Sequence, residues 1–161
     1  MGKLCYKQKS WGPIWTRDIG YKILDNSMDK VADMLTAIKN AEAVNQPSVS
    51  VPYSRLKLEI LKIMEARGFI ANVEKKNKKV DKKARIKPCL EVTLKYNGKT
   101  PAVSGAMKVS KPGQRIYLPH TRLKKVKQGH GIGIVSTSRG LMTNDEARKK
   151  KLGGEMLCEI W

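Results

Sequence analysis

Three hydroxyl side chains stand together at Ser136-Thr137-Ser138, followed by Arg139 and Gly140. Each hydroxyl both donates and accepts, and each is small enough to approach a base edge or a ribose closely. Arg139 can pair with a phosphate, and Gly140 lets the backbone turn away. An ordinary polar turn is the competing explanation, and composition alone favours it. Gly153-Gly154-Glu155 has the same two faces: bare backbone for close approach plus one acceptor, or simply a helix stop.

Other constellations carry less. Gly129-His130-Gly131-Ile132-Gly133 has the glycine density of a phosphate loop. A dinucleotide fingerprint, however, needs a strand before it and a helix opening at its last glycine. Here a strand follows, so a tight backbone turn explains the glycines better. His120 and His130 are the only histidines, with no Asp, Glu or Cys at ligand spacing beside them. Asp145 and Glu146 sit in the first turn of a helix, where the macrodipole already favours acids. An RNA-cleaving enzyme would need an acid–base pair, and His120 with Asp145 is the only pair to nominate. Cys5, Cys89 and Cys158 are odd in number and far apart, which supports neither a disulfide framework nor a zinc site. The sequence therefore predicts no enzyme, no metal, no cofactor and no small-molecule substrate.

Charge gives the partner's class. Lys and Arg total 33 against 14 Asp and Glu, a net charge of +19 over 161 residues. Self-repulsion of that size opposes a compact state and calls for a polyanion. Residues 1–27, 28–105 and 106–161 carry +3, +8 and +8, so a single tail does not account for it. Such a spread suits a body lying against nucleic acid. No basic amphipathic helix with an aromatic apolar face suggests a membrane surface. No apolar run approaches the roughly 20 residues of a membrane span, and the first ten residues lack a secretory signal's apolar core. The expectation is a soluble cytoplasmic protein, its thiols incidental in a reducing compartment.

The elements that must position these groups follow from periodicity. Residues 1–27 hold Tyr6, Trp11, Trp15 and Tyr21 among lysines, an arm that could stack on bases. The competing reading takes Met28 as the start and this basic aromatic segment as read-through, a lineage-specific tail or disordered chain. From Met28, Val31, Met34, Leu35, Ile38 and Ala41 keep the helical period. Ser48–Val51 alternates as a short strand, and Ser54 is placed to cap a second helix whose Leu56, Ile60, Leu61, Ile63 and Met64 face inward. Gly68 sits at its C-terminal cap with Phe69 as the hydrophobic contact. Phe69–Val73 is a strand, and the lysine block from Lys75 to Lys87 a loop or a splayed hairpin. Leu90, Val92, Leu94 and Tyr96 alternate into Asn97-Gly98, with a return strand from Ala102 to Val109. Lys111-Pro112-Gly113-Gln114 fits a type II turn, and Arg115–Leu118 a strand. Thr121–Lys127 is a short basic helix or turn, and Ile132–Val135 a buried strand. Thr143 and Glu146 form a capping box for a helix through Lys150, and Glu155–Trp161 is a closing strand. The fold class is α+β in two small subdomains, 28–108 and 109–161, each mixing helix with mostly antiparallel sheet; the second carries the hydroxyl run.

Several of these residues also carry a resemblance. Asp29-x-x-Ala32-Asp33-Met34-Leu35-Thr36-x-Ile38-x-Asn40-Ala41 resembles the opening helix of the ribosomal protein S8 family of the small subunit. Lys111-Pro112-Gly113-x-Arg115-x-Tyr117 resembles a second family motif, and Gly131-Ile132-x-Ile134-x-Ser136-Thr137-Ser138-x-Gly140 a third. Glu146-Ala147-Arg148 with Gly153-Gly154-Glu155 completes the order over residues 28–161. Several motifs in order are far more specific than one, and they reverse the preference for an ordinary polar turn.

The resemblance implies a structural constituent of the ribosome and a primary binder of the 16S ribosomal RNA central domain, helping to assemble the platform of the small 30S subunit. It implies contacts with neighbouring small-subunit proteins and, in some lineages, repression of the operon's own messenger RNA. Carried over by residue, Ser136, Thr137, Ser138 and Arg139 would meet RNA with Lys111, Arg115 and Tyr117, and Gly154 and Glu155 would approach the same RNA. Thr36, Lys39, Asn40, Ser54 and Lys57 would touch a second RNA region. The chain departs from the family pattern at Lys30, where proline is common, and at Ala37 and Lys39, where arginine is common. Its Lys75–Lys87 block is longer and more basic than is usual.

Overall fold

Helix α1, Lys30–Ala43, forms where the apolar period is clearest, and Val31, Met34, Leu35, Ile38 and Ala41 are all buried. Asp29 caps it, accepting from the Ala32 N–H at 3.1 Å through Oδ1 while its other oxygen pairs with Lys108. The computed structural model describes residues 29–79, 86–98 and 100–161. The aromatic arm expected at 1–27 and the middle of the lysine block lie outside the described residues.

After strand β1, Ser48–Pro52, comes helix α2, Arg55–Ala66. Ser54 takes the N-cap position, but its side chain makes no capping bond. The buried face of α2 is Lys57, Ile60, Leu61 and Met64, while Leu56, expected inward, is 39% exposed. Positions 57, 60, 61 and 64 share one helical face, and a lysine stem is apolar enough to line it. Gly68 ends the helix at φ +75°, its N–H bonding Glu65 and the Phe69 N–H reaching back to Met64, as the sequence predicts.

Strands β2, Ile70–Lys79, and β3, Ile86–Leu94, form a long antiparallel hairpin, and β1 adds to β3 for the order β1-β3-β2. The hairpin alternative for the lysine block therefore holds, with β2 running six residues past Val73. Leu90, Val92 and Leu94 alternate into the core. Strands β4, Tyr96–Asn97, and β5, Thr100–Pro101, make a two-residue ladder around Gly98 at φ +65°. The expected return strand over Ala102–Val109 does not form. Only β6, Ala106–Lys108, is extended there, and it pairs with β10, Gly154–Ile160. The crossing is fixed by Gly105, which exchanges both backbone hydrogen bonds with Trp161, at 2.8 and 2.9 Å. A Cβ on Gly105 would lie 2.7 Å from the Trp161 ring, so any side chain there would have to displace that ring.

The second sheet has the order β6-β10-β8-β9, with β7, Tyr117–Leu118, also on β10. Strand β8 is Ile132–Thr137 and β9 is Gly140–Thr143, a strand the sequence reading did not anticipate. Helix α3, Asn144–Lys149, is capped by Thr143, whose hydroxyl accepts from the Glu146 N–H at 3.4 Å. The 121–127 region resolves into two single 3-10 turns, His120–Arg122 and Val126–Gly129. The turn at Lys111–Gln114 closes with two backbone bonds of 3.0 Å, but Gly113 has no positive φ, so type II geometry is not adopted.

One buried cluster joins α1, α2, β1 and β3 to Ile132, Ile134, Leu157, Cys158 and Ile160 of the second sheet. A smaller one, with Val135, Met142, Ala147, Met156 and Leu123, lies on the opposite face under α3. Alternation sends Ile134 one way and Val135 the other, so β8 is buried on both sides. No helix among the described residues is long and apolar enough to cross a membrane.

Candidate nucleic-acid interface

Strand pairing assembles the polar groups of the second sheet. Glu155 of β10 pairs with Tyr117 of β7 on one side and with Ser136 of β8 on the other. Directly paired residues project to the same face, so Tyr117, Glu155 and Ser136 form one row across three strands. Tyr117 is 69% exposed, the most exposed large hydrophobic side chain among the described residues. An exposed aromatic ring is a platform for an unstacked base.

Glu155 is held in place. Its Oε1 accepts from Arg115 Nη1 at 2.7 Å and from the buried hydroxyl of Ser110. Burial alone would raise its carboxyl. The hydrogen bonds from Arg115 and Ser110, with the charges of Arg115 and Lys108, bring it below the ordinary carboxylate value instead. The carboxylate thus orients Arg115, whose own guanidinium it stabilises. Gly154 meets protein: a Cβ there would lie 2.1 Å from the Ser136 carbonyl oxygen, so its bareness lets β10 lie against β8.

The hydroxyl run occupies the end of the β8–β9 hairpin. Thr137 pairs with Gly140, leaving Ser138 and Arg139 as the exposed tip. The Thr137 hydroxyl donates to the Gly140 carbonyl at 2.9 Å and accepts from the Arg139 N–H at 3.2 Å. Thr137 therefore shapes the turn, while Ser136 and Ser138 make no side-chain hydrogen bond of their own among the described residues. Gly140 takes φ +102°, which glycine supplies without strain. Lys111 is exposed in its own turn, four residues before Arg115.

The first sheet presents a separate set. Thr36, Lys39 and Asn40 are exposed on one face of α1, at spacings of three and four. Ser54 is half-buried. Lys57, expected beside them, is only 4% exposed and lies against α1; burial lowers its ammonium, with Asp33 offsetting the effect and Lys30 adding to it. Its charge is not turned to an open surface.

Two features escaped the sequence reading. Ser110 is a positioning group whose partner is 45 residues away, with no local signal. Arg67, at the end of α2, donates from Nη2 to Thr143 Oγ1 at 2.8 Å and to Glu146 Oε1 at 2.6 Å, tying the first helical layer to α3. The exposed run Arg148–Lys151 at the exit of α3 adds to the basic surface. Asp145, nominated with His120 for cleavage chemistry, bonds Arg148 at 3.0 Å instead.

Residues 29–161 match the family model described as ribosomal protein S8. Among similar proteins, the small ribosomal subunit protein uS8 of Petrotoga mobilis is 47% identical over 137 residues, covering 83% of this chain and 98% of that relative. The protein of the same name from Synechocystis sp. is 43% identical over 137 residues, covering 84% and 98%. That from Sorangium cellulosum is 42% identical over 134 residues, covering 83% and 98%.

Proposed function

The chain belongs to the ribosomal protein S8 family, and from that premise we propose that it binds the central domain of 16S-type ribosomal RNA directly. As a family member it is a structural, non-enzymatic component of the small ribosomal subunit. The observation that carries the finer reading is the row of Tyr117, Glu155 and Ser136 beside the Ser138–Arg139 tip. A stacking ring, a fixed acceptor, free hydroxyls and an oriented arginine suit an irregular RNA helix with exposed bases and sugars. Lysines and arginines outside the row supply affinity by displacing counterions, and the row supplies selection. Thr36, Lys39 and Asn40 touch a second RNA region, and Lys111 and Arg115 pair with phosphates. By holding two RNA regions the protein serves as a primary binder in platform assembly and meets neighbouring small-subunit proteins there. A messenger segment folded like the ribosomal site would be held by the same row, which is the basis for repression of the operon's own message.

Filter binding of the full chain to a central-domain fragment, with an equal-length scrambled RNA as control, tests this. Wild type is expected to prefer the central domain, with salt-sensitive affinity. Ser136→Ala with Ser138→Ala is expected to cut that preference about tenfold, the worth of two modest hydrogen bonds. Equal weakening toward both RNAs reduces the hydroxyls to phosphate contacts and refutes their selective role.

A further inference from the structure

Helix α3 ends in a run of cations on a strained turn. Arg148, Lys149, Lys150 and Lys151 are consecutive and all exposed. The Lys151 N–H bonds the Arg148 carbonyl at 3.1 Å, and the Leu152 N–H reaches the Ala147 carbonyl at 2.8 Å. This paired closure requires a left-handed residue just past the helix, a place where glycine is usual. Here that residue is Lys151, at φ +53°. A side chain with a Cβ is strained in this conformation. Lysine at Lys151 therefore lowers stability and adds a cation.

A second basic segment lies against the first. Leu123 is buried in the cluster that holds Ala147, with Leu118 and Leu152 packed on it. Its neighbours Arg122, Lys124 and Lys125 stay exposed. The Lys124 carbonyl accepts from Asn144 Nδ2 at 2.8 Å, and a Cβ on Gly153 would lie 3.1 Å from Pro119 Cα. Among the described residues no ion pair takes up Arg122, Lys124, Lys125, Lys149, Lys150 or Lys151. The acids of α3 are occupied, Asp145 by Arg148 and Glu146 by Arg67. Cations gathered without an acid repel one another, and a polyanion relieves that repulsion. The macrodipole favours cations at a helix end, which accounts for Lys149 and Lys150 but not for residues 122–125. The exposed large hydrophobic side chains lie elsewhere, so these segments lack the apolar anchor of a protein interface. Phosphates need only the charge.

We infer that Arg122, Lys124, Lys125 and Lys149–Lys151 form a further RNA contact, which grips the phosphodiester backbone without reading sequence. Leu118, packed beneath it, pairs with Gly154 of β10, so the patch borders the row of Tyr117, Glu155 and Ser136. The inference rests on the RNA-binding reading above: a backbone continuing past the row runs onto these cations.

The test is salt-dependent filter binding of the full chain to the central-domain and scrambled RNAs, with two variants. The first carries Lys124→Gln, Lys125→Gln, Lys149→Gln and Lys150→Gln together. Its slope of log affinity against log salt is expected to fall by about 3, at 0.7–0.9 per phosphate contact. Affinity drops by a similar factor for both RNAs, so the preference between them is unchanged, and arginine at the same four positions restores the slope. The second, Lys151→Gly, is expected to lose about 0.9 of slope while its melting midpoint without RNA stays level or rises, because the strain is gone. An unchanged slope in the first variant overturns the inference, as it would if the patch instead met an acidic protein. A fall on the central-domain RNA alone overturns the sequence-independent grip. A lower midpoint for Lys151→Gly makes that lysine structural and removes it from the contact. Loss of slope in a chain that shows no central-domain preference leaves the patch standing and removes the specific reading instead.

Discussion

The two sheets place their polar groups by different means. On the first, Thr36, Lys39 and Asn40 share a face because a helix repeats every 3.6 residues, and the spacing is local. On the second, Tyr117, Ser136 and Glu155 meet because three strands pair in one register. The same contrast holds for each sheet's inner carboxylate. Glu155 is fixed by Ser110 and Arg115 and lies below its ordinary value. Glu42, at the end of α1, is 3% exposed with neither oxygen hydrogen-bonded, and burial pushes it up to about 7. The Val103 backbone N–H facing it lies outside hydrogen-bond geometry and offsets burial only in part. The carboxylate set between paired strands is held by two donors, and the one at the helix end by none.

Breaking the register gives the largest effect. Gly154→Ala puts a methyl where the Ser136 carbonyl oxygen is 2.1 Å away, and backbone cannot yield cheaply. A loss of about 3 kcal/mol in thermal or urea melts is expected, the upper end of overpacking costs, together with loss of selective RNA binding. A variant that binds selectively would show that the row does not depend on β10 lying against β8.

Acidity separates the two carboxylates. Between its unfolded value near 4.5 and its folded value near 7, Glu42 binds a proton more readily in the folded chain. Its contribution therefore falls as pH rises through that window, by up to about 3 kcal/mol, and is lowest above 7. Glu155 runs the other way: its stabilisation is present above the ordinary carboxylate value and is lost as pH falls below it. Urea melts of wild type and Glu42→Gln from pH 5 to 8 measure the first effect, and the glutamine variant is expected to lose the decline between pH 5 and 7. Equal pH slopes in both proteins would move the titration elsewhere.

Lys39→Ala is expected to leave the melt within about 0.5 kcal/mol of wild type, as for an exposed surface change. It should lower the salt slope of RNA binding by about 1 on both RNAs, which sharpens the contrast between a charge contact and the hydroxyl row. Arg67→Ala removes a half-exposed pair between α2 and α3 and is expected to cost at most about 1 kcal/mol. A larger cost in the melt would mean that Arg67 governs how the two helical layers meet.

Much of this was legible beforehand. The α1 core face, the Gly68 cap, the Leu90–Leu94 alternation and the Thr143 cap each depend on residues within a few positions of one another, and each forms as the sequence predicts. The inward face of α2 was misjudged by one position because residue type suggested Leu56, whereas the geometry of the face selected Lys57. The strand over Ala102–Val109 was misplaced because Asn97-Gly98 predicts a hairpin but says nothing about how long its ladder lasts. Gly105 and Trp161, 56 residues apart, draw the chain into the other sheet.

The sequence by itself determined the helices, the Gly68 and Thr143 caps, the excess of positive charge and the run of hydroxyls, because these rest on periodicity and composition within short windows. Only the tertiary structure decided that Glu155 would stand between Tyr117 and Ser136 and be held by Ser110, and that Lys57 would turn inward. Those outcomes depend on strand register and on which face meets the core, and both are set by contacts between residues far apart in the chain.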